Sequence, residues 1–163
     1  MVSLIPKLQN VKRKFIQMKQ RIDIKQLEPR AYDVLFAMEK YLSVTDLSLQ
    51  LRELIKIRVS QINKCAYCIE LHTKDARKAG ETESRIYALS AWEESPLFTD
   101  AERAVLALAD AITRISEHGV SDEIFKNVQT HFSDNQVAQI IIAINQINFW
   151  NRIAIPTKMF HVR

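Results

Sequence analysis

A chain of 163 residues with only two glycines and four prolines has few places where it can turn sharply. Tight hairpins need residues that accept a positive φ, and sandwiches or barrels need such turns at short intervals. So few breakers point to helices joined by short connections, an all-α fold. The length fits one domain, or one domain with an extension, and apolar residues at 47% are enough to fill its core.

Apolar spacing divides the chain. Leu4, Leu8, Val11, Phe15, Met18 and Ile22 recur at steps of four and three, which predicts an amphipathic N-terminal helix over 1–22 ahead of a domain over 23–163. Pro29 opens a helix through about Tyr41, with Tyr32, Leu35, Phe36 and Tyr41 as expected core residues. The next helix covers about Leu49 to Gln61, with Leu51, Leu54, Ile55, Arg58 and Ile62 along one side. After an Asn63–Lys64 break comes a helix carrying Cys65, Cys68 and His72, which Gly80 closes as a left-handed cap. Glu81 to Trp92 reads as helical, with Thr82 as its N-cap. Thr99-Asp-Ala-Glu102 fits a capping box for a helix through Ile115, and Ser121 starts a short helix over 122–131. Ser133 caps an apolar helix expected over Val137 to Phe149.

Charge excludes some functions. Residues 1–22 hold six of the 23 basic side chains and no acid, which leaves the rest of the chain at a net −2. A nucleic-acid role wants a basic face on the folded body, so none is expected. No apolar run approaches the ~20 residues of a membrane span, and the N-terminus lacks the apolar block of a secretory signal. The basic N-terminal helix reads as packed on the domain or on a second subunit, with a membrane surface as the rival. Two cysteines three apart do not make a disulfide framework. The expected compartment is the cytoplasm, where a lone C-x-x-C pair is more often catalytic or metal-binding.

The chemistry concentrates in Cys65-Ala-Tyr-Cys68-Ile-Glu-Leu-His72. Cys68 and His72, four apart, share a helix face. Cys65 falls at or near the helix N-terminus, where unpaired amides and the helix dipole favour a thiolate. A thiolate that attacks an oxidant becomes a sulfenic acid, and a second thiol within reach condenses with it to a disulfide. Glu53, twelve residues before Cys65, gains meaning if two helices form a hairpin that brings it to His72. There a carboxylate orients the imidazole and raises its basicity.

Glu53 followed by C-x-x-C-x-x-x-H resembles the active-site pattern of AhpD-like alkylhydroperoxidases, within the carboxymuconolactone decarboxylase superfamily. Leu51-Arg-Glu-Leu-Ile-Lys-Ile-Arg58, Ser60-Gln-Ile-Asn63, Ala91-Trp92, Phe98-Thr-Asp-Ala-Glu-Arg103 and Ile147-Asn-Phe-Trp-Asn-Arg152 are similar too. The resemblance covers about 21–161. It implies an AhpD-like helical bundle that forms trimers or hexamers and acts as a thiol peroxidase on hydroperoxides. It also implies roles: Cys68 attacks the peroxide, Cys65 resolves the sulfenic acid, and His72 and Glu53 relay protons. An external dithiol, a lipoyl or thioredoxin-like protein, then reduces the disulfide, and no cofactor or metal is needed. AhpD has a histidine just before its reactive cysteine, where this chain has Tyr67, a candidate substrate contact.

Other readings remain open. The pair could be a redox sensor or a thiol-disulfide oxidoreductase without peroxidase turnover. Cys65, Cys68, His72 and Glu53 could hold zinc, or the pair could be inert core. Non-redox decarboxylase chemistry is a further reading, although the name-giving members generally lack the cysteines. His118 and His131 read as surface residues, and His161 as unimportant. Trp92, Phe149 and Trp150 read as core or interface aromatics, and the amides of Asn148 and Asn151 need partners in so apolar a segment.

Overall fold

A computed structural model describes residues 19–161. Most of the expected N-terminal helix lies outside that range, and the described residues 19–23 are not helical. Among the described residues there are nine α-helices and no strand. They are α1 (Ile24–Leu27), α2 (Pro29–Ser43), α3 (Leu49–Ile62), α4 (Ala66–Lys78), α5 (Glu83–Ala88), α6 (Asp100–Thr113), α7 (Ile115–His118), α8 (Asp122–Gln129) and α9 (Asp134–Thr157). A 3-10 turn, Leu89–Ala91, follows α5.

The helix starts follow the capping chemistry. Ser48, Thr82, Ser121 and Ser133 each accept a backbone N–H with their hydroxyl, and Thr99 with Glu102 closes a capping box. Two helix ends set the position of α4. Asn63 ends α3, Lys64 turns left-handed at φ 58°, the Cys65 N–H reaches the Ser60 carbonyl at 2.9 Å, and the Lys64 N–H reaches Gln61 at 3.1 Å. That is a Schellman closure with lysine where glycine is commoner. At the far end Gly80, at φ 91°, closes α4 in the same way, with the Glu81 N–H on the Ala76 carbonyl at 2.9 Å.

The buried helix α3 is the organiser, packed against α4, α6 and α9. Its two faces serve two apolar clusters. One joins Leu51, Ile55 and Val59 to Val105 and Leu108 of α6 and to Ile140, Ile144 and Ile147 of α9. The other joins Leu54 and Ile57 to Ile86, Leu89, Trp92 and Leu106. Removing water from so many branched side chains drives the assembly, at ~25 cal/mol per Å² of apolar surface. Arg58, read from sequence as part of the apolar side, is buried but forms a two-pronged ion pair with Asp110 at 2.6 and 2.5 Å. A buried guanidinium is tolerable only when so paired.

Several details differ from expectation. Helix α9 runs 24 residues, starting before Val137 and continuing past Phe149 to Thr157, because its polar residues find buried partners. Trp92 belongs to the core, but Phe36 and Tyr41 of α2 are exposed. Phe36 instead joins Tyr32 and Trp150 in an aromatic wall with ring centroids 5.4 to 6.0 Å apart. Phe149 also points outward, beside Ile115 and Phe125, on a second cavity of about 590 Å³. No helix among the described residues is long and apolar enough to cross a membrane.

Candidate active site

The Schellman turn that ends α3 makes Cys65 the N-cap of α4. Cys68 and His72 then follow on one face of α4, and both are buried. The antiparallel packing of α3 on α4 carries Glu53 to His72, with its Oε2 2.8 Å from the imidazole Nδ1. The hairpin on which the meaning of Glu53 depends therefore exists, and it brings Glu53 onto His72.

The two sulfurs lie 2.6 Å apart, beyond a disulfide bond of ~2.05 Å but close enough to share one proton. Donation by the Cys68 S–H, together with the amides of Tyr67 and Cys68 at the start of α4 and the side chain of Asn151, outweighs burial and brings Cys65 down to about 7. Cys68 is pushed up, first because its proton is held by Cys65 and then by burial and the Cys65 charge. The pair thus loses one proton near neutrality and keeps the other. Tyr67 is pushed up by burial and then by the charges of the two sulfurs, so its phenol stays protonated and able to donate.

A cavity of about 510 Å³ opens beside the pair. Cys68, Tyr67, Leu71 and His72 of α4 form one wall, and Tyr32, Phe36 and Trp150 form another. Cys65 and Glu53 do not line it, so each stands behind the residue it partners. With Nδ1 held by Glu53, the imidazole keeps Nε2 for the cavity side. Burial pushes the Glu53 carboxyl up, but hydrogen bonds from His72 and the Lys56 ammonium hold it below its ordinary value. Lys56 Nζ sits 3.4 Å from Glu53 and 3.2 Å from Glu39, and Glu39 accepts the Trp150 indole N–H at 2.8 Å.

Sequence reasoning missed several of these residues. Lys56 and Glu39 carry no motif, and only the α2–α3–α9 packing unites them with Trp150. Asp75 lines the cavity one turn after His72. His161, read as unimportant, stacks on Tyr67 with ring centroids 4.1 Å apart and donates to the Tyr67 carbonyl at 3.1 Å. The left-handed Lys158 that ends α9 directs the chain back toward α4. The amides of Asn148 and Asn151 do find partners, in Asn63, Thr113 and Ser60. The metal reading changes as well. Donor atoms of Glu53, His72 and Asp75 lie within 4.8 Å of one another, and neither sulfur joins that group. Two carboxylates and an imidazole could ligate a cation, but the Lys56 ammonium already supplies positive charge at Glu53.

Comparison with known proteins places this arrangement. The uncharacterized protein YdfG of Bacillus subtilis (strain 168) is 46% identical over 138 residues, spanning 85% of this chain and 94% of that one. A crystal structure of ATU0492 from Agrobacterium tumefaciens, a protein of unknown function linked by name to AhpD, superposes with a TM-score of 0.86 at 40% identity, over 89% of this chain and 99% of that one. The debrominase Bmp8, solved with 2,3,4-tribromopyrrole, shares the fold with a TM-score of 0.75 at 20% identity, over 83% and 72% of the two chains. The model of the carboxymuconolactone decarboxylase family matches residues 29–111, so the chain belongs to that family, in its AhpD-like branch.

Proposed function

We propose that the protein is a thiol peroxidase that reduces hydroperoxides through Cys65 and Cys68. The supporting observation is a sulfur pair 2.6 Å apart whose Cys68 shares a cavity wall with a carboxylate-backed imidazole. In this reading Cys68, the sulfur facing the cavity, attacks the terminal peroxide oxygen as its own proton passes to His72. The O–O bond breaks, Cys68 becomes a sulfenic acid, and the alkoxide leaves as an alcohol with a proton from His72. Glu53 stabilises the imidazolium while His72 holds that proton. Cys65, as thiolate, then attacks the sulfenic sulfur, closing the disulfide and expelling hydroxide, which takes a proton from solvent and leaves as water. An external dithiol restores both thiols and is itself oxidised to a disulfide. Tyr67 presents a neutral phenol to the bound peroxide. The exposed Ile115, Phe125 and Phe149 support association of copies into a trimer or hexamer, which sedimentation would measure.

The test is turnover. Reduced protein is mixed with cumene hydroperoxide and dihydrolipoamide, and loss of hydroperoxide is followed. Many equivalents consumed per chain is the expected result. One equivalent and no more would favour a redox sensor. Substrate turnover that survives Cys68→Ser would favour non-redox decarboxylase chemistry.

A further inference from the structure

Behind the cysteine pair, on the side away from His72, lies a polar layer that the proton path does not use. Asn151 of α9 is 0% exposed. Its Oδ1 accepts from Asn63 Nδ2 at 2.8 Å, and its Nδ2 donates to Ser60 Oγ at 3.1 Å. The carbonyl of the same Ser60 holds the Cys65 N–H at 2.9 Å. Asn63 also donates to Asn148 Oδ1 at 2.9 Å, and Asn148 Nδ2 donates to Thr113 Oγ1 at 3.2 Å.

An amide can face either way, so something must set the direction of this chain of donors. Arg152 does so. A guanidinium can only donate, and its Nη1 reaches Asn148 Oδ1 at 2.8 Å and the Asn148 carbonyl at 3.0 Å. Asn148 must therefore present its oxygen to Arg152 and to Asn63. Asn63 must then present its nitrogen to both Asn148 and Asn151. Asn151 is left with its oxygen toward Asn63 and its nitrogen toward Ser60, with a second N–H to spare.

We infer that Asn151 is the thiolate donor of the cysteine pair, its amide oriented through Asn63 and Asn148 by the acceptor-only Ile144 carbonyl and the donor-only side chain of Arg152. This rests on the thiol reading above and deepens it. A buried thiolate without donors reverts to a thiol, because burial disfavours the charged form. A neutral amide stabilises the charge without adding a titrating group. The side chain of Asn151, buried beside the Ser60 that holds Cys65, favours the charged form of each sulfur. The same N–H can receive the sulfur expelled when the disulfide is reduced. The ionisable groups facing the pair are few: Tyr67 and His72 come from α4, Glu53 of α3 acts through His72, and Arg152 of α9 acts through Asn148.

Thiolate absorbance in the ultraviolet, titrated on the reduced full chain, tests this without any peroxide. Wild type should ionise near pH 7. Asn151→Asp keeps the acceptor for Asn63 but replaces the donor with a negative oxygen. It should raise the midpoint by at least about one unit, tenfold less thiolate at neutral pH. Thr113→Val, at the end of the layer that touches no sulfur, should leave the midpoint unchanged. If Asn151→Asp does not fold, Asn63→Ser frees the Asn151 amide to turn and should shift the midpoint the same way. A purely structural role would lower the melting temperature without moving the titration. A midpoint unmoved in the Asn151 or Asn63 variant, or moved as far by Thr113→Val, overturns the assignment. The titration stands even if wild type fails to consume hydroperoxide, so the two readings can fail separately.

Discussion

The cysteine pair sits between two polar regions of opposite character. On the α3–α4 side the groups are ionic: Glu39, Lys56, Glu53 and His72 form one line of contacts at 2.8 to 3.4 Å. On the α9 side they are amides and hydroxyls, Asn63, Asn148, Asn151 and Ser60, with the only charge at the outer end on Arg152. Both regions run from buried groups near the sulfurs to more exposed ones at their outer ends, Glu39 and Arg152, and both have their members hydrogen-bonded, as buried polar groups must be. Charged groups can take up and release protons, whereas an amide only orients a dipole. In the proposed mechanism the contrast divides the labour: the ionic side moves protons, and the amide side holds charge still.

The largest expected effect cuts across both regions. Cys68→Ser should lower peroxide-dependent disulfide formation by about a thousandfold or more, whichever side is intact, as loss of a nucleophile does. Intact-protein mass after peroxide treatment would show it.

Glu53→Gln should slow oxidation by roughly a hundredfold, the scale of positioned acid–base groups. This variant also separates the two regions. Raising the pH should restore oxidation to the Asn151→Asp variant, whose thiol is only harder to ionise, but not to Glu53→Gln, whose imidazole has lost its support. Equal recovery in both would erase the proposed division.

A smaller effect concerns acid stability. The Glu53 carboxyl is held below its ordinary 4.5 by His72 and Lys56. A group depressed by folding stabilises the native state above its unfolded pKa, and that contribution fades as pH falls through the folded value. Wild type should therefore lose melting temperature in this acid range, while Glu53→Gln should lose less. Lys56→Met removes one of the two partners and should move that loss to higher pH. Thermal melts against pH would show both.

The smallest effect expected is that of Trp150→Phe, which deletes the indole N–H to Glu39 but keeps an aromatic wall. It should cost about 1 kcal/mol, a typical single hydrogen bond, and denaturant unfolding would measure it.

How much of this could be read from residues alone depends on the range of the interaction. Helix starts at Thr82, Thr99, Ser121 and Ser133 were legible because capping is local chemistry. The Cys68–His72 face was legible because helix periodicity sets it, and Glu53 was legible because one hairpin folds it back. The ends of α9 were not, since Asn148, Asn151 and Arg152 look like interruptions until Asn63, Ser60 and Thr113 arrive from other helices. Phe36 looked like core because hydrophobicity does not tell a buried wall from a cavity lining. His161 had no signal at all; only the left-handed turn at Lys158 brings it onto Tyr67.

The central claim is that the pair holds one negative charge near neutral pH and uses its two sulfurs in turn to reduce a peroxide. The most direct measurement is the rate of disulfide formation with stoichiometric cumene hydroperoxide as a function of pH, followed by intact mass. The account predicts loss of two hydrogens per chain, at a rate that rises with a midpoint near 7. No mass change, or a midpoint at the ~8.5 of an ordinary cysteine, would contradict it.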